Sequence, residues 1–231
     1  MEAWEAGFET NLLRNRLHFE GVYYKKNTKD LLAEVPGISG TIPGIGNLGQ
    51  IQNKGVEMAV TWRDQIGDWN YNVGANLTTI KNKVLSLVQD GYSIIAGDKS
   101  QSYTMAGYPI GYFYGYQTDG LFQTPEDVQN YKNSEGVVIM PNAVPGDVRF
   151  VDRNDDGIID DKDKTMIGKS NPDYNLGINL NMSYKGFDLT LVASGVFGND
   201  ILRAYRMPDS PSQNYTSEIL GRWTGPGTSN S

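Results

Sequence analysis

The sequence contains no cysteine in 231 residues. That excludes disulfides, a thiol nucleophile and any Cys-based zinc or iron–sulfur site. A single histidine, His18, rules out two-His metal centres within the chain, and a Ser/His/Asp triad would have to use that one imidazole. No apolar run approaches the ~18 residues of a membrane helix. Basic residues are outnumbered: 20 Lys and Arg face 27 Asp and Glu, a net charge of −7. A nucleic-acid binder would carry a basic stripe, so no nucleic-acid partner is expected. The opening Met1-Glu2-Ala3-Trp4-Glu5 lacks the basic and apolar regions of a signal peptide.

What is abundant is glycine (27 residues) and aromatic side chains (11%), more than half of them Tyr. This is too aromatic for a disordered chain and too glycine-rich for a helical bundle. It is the composition of a β protein with many turns.

The period of the pattern agrees. In Trp69–Thr79 the odd positions are Trp, Tyr, Val, Ala and Leu, apart from the closing Thr79, while the even ones are Asn, Asn, Gly, Asn and Thr. Successive strand side chains point to opposite faces, so one face is apolar and the other polar. Residues 176–184 repeat this, with Leu176, Ile178, Leu180, Met182 and Tyr184 on one face. Residues 55–62, 17–24 and 187–194 alternate likewise, and a weaker segment runs from about Glu5 to Leu13. The strands pair through tight polar turns at Arg14-Asn15, Ile66-Gly67-Asp68 and Lys185-Gly186. Long connections, 31–50 and 88–173, separate the pairs. Short turns at one end and long loops at the other is the topology of an outer-membrane β-barrel. Tyr23, Tyr24, Trp62, Trp69, Tyr184 and Phe187 lie near strand ends, as the interfacial girdles of such barrels require. A soluble antiparallel sheet with one wet face alternates in the same way; the ordered short and long connections favour the barrel.

The 88–173 connection exceeds the ~12–15 residues usual for a structureless loop, so it is expected to carry its own structure or a function. Its stretch 107–116 is dense in Tyr and Gly, fit either to stack on sugars or partners or to pack a small local core. Residues 152–163 fit the ~12-residue calcium-loop template. Asp152, Asn154 and Asp156 take positions 1, 3 and 5, and Gly157 makes the turn at position 6. The Ile158 carbonyl serves position 7, Asp160 position 9 and Asp163 position 12, where the template has Glu. Hard oxygen donors at this spacing wrap one Ca²⁺, expected here in a structural role.

Several stretches carry a family likeness: Asn27–Leu32, Asn53–Met58, Ile110–Gln123, Pro145–Phe150, Val151–Asp163, Ile167-Gly168, Asn171-Pro172 and Gly198–Ile201. Together they resemble the C-terminal barrel of the SusC/RagA family of TonB-linked outer-membrane proteins, in order and over nearly the whole chain. The resemblance implies an all-β fold, an antiparallel up-and-down transmembrane β-barrel segment. Residues 1–231 would supply about six strands of a larger barrel of about 22, with 88–173 as a long extracellular loop. It implies a bacterial outer-membrane location and lipid contact, and import of an oligosaccharide or peptide substrate. A SusD-like lipoprotein is the implied surface partner, and the TonB complex the energy source, acting through an N-terminal part that this sequence does not show. The chain therefore reads as an internal piece of a transporter. The alternative is a soluble, calcium-stabilised carbohydrate-binding or adhesion module. No constellation of residues points to an enzyme.

Overall fold

The computed structural model describes residues 1–35, 44–47, 49–87, 92–97, 101–203 and 216–230. In chain order the strands are β1 (Glu2–Leu12), β2 (Leu17–Thr28), β3 (Leu32–Val35), β4 (Gly44–Asn47), β5 (Gly49–Ile66), β6 (Trp69–Thr79), β7 (Lys81–Leu87), β8 (Ser93–Ala96), β9 (Ser102–Met105), β10 (Tyr112–Tyr116) and β11 (Thr118–Leu121). A short helix α1 (Pro125–Asn130) follows, then β12 (Val148–Phe150), β13 (Lys164–Lys169), β14 (Tyr174–Tyr184) and β15 (Phe187–Phe197). The chain divides into two compact units, Met1–Phe113 with Gly168–Ile201, and Tyr114–Ile167 with Leu202–Ser231.

The first unit is built on one antiparallel sheet in the order β1-β2-β5-β6-β14-β15, with β7 also paired to β5. All six segments expected from the alternation are strands of this sheet. The turns are those the sequence demands. Lys185 and Gly186 both take positive φ (44° and 88°), as the two-residue turn between β14 and β15 requires. β5 is 18 residues long; its first part, Gly49–Lys54, pairs with β7 and its second, Glu57–Ile66, with β6. Between these stretches Thr79 replaces a backbone bond: its Oγ1 accepts from Val56 N–H at 2.9 Å and donates to Val56 O at 3.4 Å. Gly55 sits under this junction, where an added Cβ would lie 1.9 Å from the Thr79 carbonyl oxygen. Gly55→Ala should therefore force the strands apart at a cost of about 1–3 kcal/mol, read as a lower denaturation midpoint of the full-length protein.

The connection 31–50 is itself partly a hairpin, β3 against β4; residues 36–43 and 48 lie outside the described residues. Tyr112 of the Tyr/Gly stretch is only 1% exposed and stacks on Tyr108 at 4.9 Å. That tyrosine therefore packs a local core.

The second unit has its own small core of Leu121, Phe122, Val128 and Ile139. Thr124 caps α1: Asp127 N–H donates to its Oγ1 at 3.2 Å, and Thr124 N–H donates to the Asp127 carboxylate at 3.0 Å. Pro125 follows the cap, where its missing N–H costs nothing. Trp223 closes this unit, donating from Nε1 to Gln123 Oε1 at 3.2 Å. Its ring fills the space over Gly146, whose φ is +97°.

Candidate functional site: a membrane wall and an acidic loop

Cross-strand partners share a face, so the register assigns every strand residue of the large sheet to one side. One side carries Phe8, Phe19, Val60, Val73, Ile178 and Leu191. These do not pack inward: Phe8 is 60% exposed, Leu191 54% and Ile178 46%. Gly21, on the same face, is covered by the ring of Phe8, whose Cε1 would lie 3.0 Å from an added Cβ. An apolar face left exposed across six strands marks a surface built to be covered.

Aromatic rows bound this surface at both ends. At the hairpin end Trp69 stacks on Tyr184, centroids 4.4 Å apart, with Phe187 opposite Tyr184. At the other end Tyr174 stacks on Phe197 at 4.9 Å, and Trp4 meets Tyr23 at 5.3 Å. From Tyr174 to Tyr184 the strand rises about 33 Å at ~3.3 Å per residue. Tilted by about 40°, it spans about 25 Å, the height of the apolar band of a membrane barrel. Tyr24 leaves the expected girdle. It pairs with Gly55 on the opposite face, and its hydroxyl reaches the Thr79 carbonyl at 3.4 Å. Adjacent strand residues cannot share a face, so only Tyr23 of that pair can meet lipid. Trp4, Tyr174 and Phe197, which the sequence reading passed over, complete the row.

The reverse face is polar. Asn179 lies flat over Gly74, and Asn76 over Gly177, each asparagine filling the room left by the glycine opposite it. Near the hairpin turns this face holds a broad cleft of about 1010 Å³ with Arg16, Arg63, Asn72, Asn181 and Asp188 on its walls. Arg16 pairs with Asp64 at 3.2 Å. His18 sits on the same face, its Nδ1 3.0 Å from Asn11 Oδ1 and its ring 3.8 Å from the carboxylates of Glu9 and Glu20.

The acidic loop lies in the second unit. A chain of turns fixes its side chains. Gly157 N–H donates to Asp152 Oδ2 at 2.8 Å, Asp156 N–H to Asn154 Oδ1 at 3.2 Å, Ile158 N–H to Asp156 Oδ1 at 3.0 Å and Lys162 N–H to Asp160 Oδ1 at 2.8 Å. Asp155 and Gly157 supply the positive φ values (61° and 81°) that curl the segment. Asp163 is fully buried; its two oxygens accept Arg153 N–H and Asp160 N–H, both at 2.8 Å. Burial pushes its pKa up. The backbone N–H groups of Asp160, Arg153 and Asn154, helped by Lys162, outweigh that and hold it below the usual carboxylate value. The Lys162 ammonium lies 3.7 Å from Asp156 and 3.5 Å from Asp160. Among the described residues no three Asp, Glu or His side chains converge as a metal cage. Asp152 Oδ1, however, is buried with no donor, and the whole donor set is hard oxygen, as Ca²⁺ requires.

A sheet with one lipid-height apolar face, aromatic rows at both margins and a polar reverse is the wall of a transmembrane β-barrel. Residues 2–226 match the family model described as TonB dependent receptor-like, beta-barrel, and the chain belongs to that family. Among curated proteins it is 30% identical over 95% of its length to TonB-dependent receptor P3 of Formosa agariphila, covering 22% of that protein. It is 27% identical over 81% of its length to TonB-dependent receptor SusC of Bacteroides thetaiotaomicron, covering 18% of it. The chain thus spans about a fifth of the relatives it matches. Among solved structures the fold is shared with the RagAB peptide transporter, at a TM-score of 0.67 and 20% identity, over 85% of this chain and 20% of that one.

Proposed function

We propose that this chain forms part of the barrel wall of an outer-membrane, TonB-dependent importer of glycans or peptides that works with a SusD-like surface lipoprotein. The observation that carries the reading is the exposed apolar face held between two aromatic rows. On it, the short hairpin turns face the periplasm and residues 88–173 lie on the extracellular side. The names of the relatives support an importer, and RagAB is a peptide transporter. The test is uptake of labelled oligopeptides and oligosaccharides by cells carrying the full-length receptor, with and without TonB and the neighbouring lipoprotein. Accumulation of one class that vanishes without TonB is expected. A full-length protein that stays soluble without detergent overturns the reading.

Within the same reading, residues 152–163 take a structural Ca²⁺ through Asp152, Asn154, Asp156, Asp160, Asp163 and the Ile158 carbonyl. The orphaned Asp152 Oδ1 and the ordered turns support this, and Lys162, 70% exposed, is free to swing away and release the carboxylates beside it. Calorimetry on the full-length receptor should show one Ca²⁺ per chain at this loop, lost in the Asp152→Ala/Asp156→Ala variant. No difference in uptake between wild type and that variant would count against it.

A further inference from the structure

The apolar face ends in a row of lysines. Tyr23, Val56, Thr79, Tyr174 and Phe197 lie along the last apolar row, linked by strand pairing and by the Thr79–Val56 side-chain bonds. One residue pair further along each strand, on the same outward face, Lys25 stands opposite Lys54, and Lys54 opposite Lys81. Lys83 follows two residues on, opposite Gln52. Like charges directly opposite each other on a sheet destabilise it. Here three consecutive strands share one such row, yet among the described residues none of Lys25, Lys54, Lys81 and Lys83 has an ion-pair partner. The chain as a whole is acidic, so the concentration of positive charge is local. Lys54, Lys81 and Lys83, with Lys169 and Asn171, line a cleft of about 350 Å³. Lys169 is paired with Asp173, which leaves the other three ammonium groups in need of an anion.

We propose that this row is a binding site for the phosphate groups of membrane lipid at the leaflet surface on the long-loop side of the barrel. The inference rests on the membrane-wall reading above. Its position decides the occupant. The lysines start at the edge of the aromatic row, Lys25 standing directly opposite Trp4, which is the depth of lipid headgroups. Their aliphatic stems lie along the wall while the ammonium groups reach up into the headgroup layer. Lysine binds phosphate as a point charge, so a row of four suits a headgroup with more than one phosphate.

The experiment is native mass spectrometry of the full-length receptor in mild detergent, titrated with lipid A, with the net-neutral phosphatidylcholine, or with inorganic phosphate. The wild type should retain lipid A in strong preference to phosphatidylcholine, with a preference that falls as salt rises. The Lys54→Gln/Lys81→Gln/Lys83→Gln variant should bind lipid A on the order of 100-fold more weakly, while the corresponding Lys→Arg variant keeps it. Equal retention of the two lipids by wild type overturns the proposal whatever the variants do. So does displacement of lipid A by millimolar inorganic phosphate, which would assign the site to a free anion. A receptor that inserts into membranes but shows no preference leaves the wall reading standing and removes only this inference.

Discussion

Ile178→Arg is expected to destabilise the membrane-inserted protein by about 2–4 kcal/mol. Ile178 lies on β14 near the midpoint between Tyr174 and Tyr184, on the outward face and 46% exposed. Its cross-strand neighbours are Ala75 on β6 and Ala193 on β15, so little side-chain bulk shields it. In a water-soluble sheet an arginine at a half-exposed site changes stability by about 0.5 kcal/mol or less. In hydrocarbon the guanidinium has no partner and must snorkel or drag in water. The control is Asn181→Arg on the reverse face of the same strand, where Asn181 is exposed and accepts from Thr190 Oγ1 at 3.0 Å. That change should be close to neutral. Urea-dependent folding of the full-length receptor into liposomes, followed by tryptophan fluorescence, measures both. Equal midpoints for the two variants would sink the lipid-facing assignment.

The wall was legible in the sequence because a strand's face is a strictly local property. Alternation in Trp69–Thr79 and in 176–184 names both faces without knowledge of the neighbours, and Lys185-Gly186 names the turn. The residues missed or misplaced are those whose meaning depends on another strand. Tyr24 passed for a girdle residue because it adjoins Tyr23 in sequence, yet parity puts it opposite Gly55 on the polar side. Lys25, Lys54 and Lys81 are 29 and 27 residues apart in the chain and become one row only through the register. The signal available beforehand was Lys81-x-Lys83 on a strand margin, too common to single out. The interruption at Thr79 and Gly55 was hidden for the same reason, since a hydroxyl replacing a backbone bond leaves no periodic trace. In the acidic loop, spacing alone supplied the candidate oxygens. It gave no warning that Lys162 would stand beside two of them, because position 11 of such a loop carries no ligand.

Asp163→Asn should cost about 3 kcal/mol of local stability in the acidic loop. The Asp163 side chain is completely inaccessible, and its two carboxylate oxygens hold Arg153 N–H at one end of the loop and Asp160 N–H at the other. An amide presents only one acceptor oxygen to these two donors, so one buried N–H is left facing an NH₂ group. Hydrogen exchange reads this directly: the Arg153 and Asp160 amides should exchange roughly 100-fold faster in the variant, while amides of the large sheet keep their wild-type protection. The ionised carboxylate is the form the loop binds, because Asp163 titrates below its usual value. A depressed folded-state pKa contributes stability that is fully present above the unfolded value near ~3.9 and is lost as pH falls through the folded value. Wild-type protection at Arg153 and Asp160 should therefore hold from neutral pH down to about 4 and collapse only below it. The Asn variant, with no proton to take up at this site, should show a low protection that does not change over that window. Protection in wild type that instead falls as pH rises from about 4 to 7 would mean that the folded loop holds the carboxyl protonated, and that the backbone donors do not outweigh the cost of burying its charge.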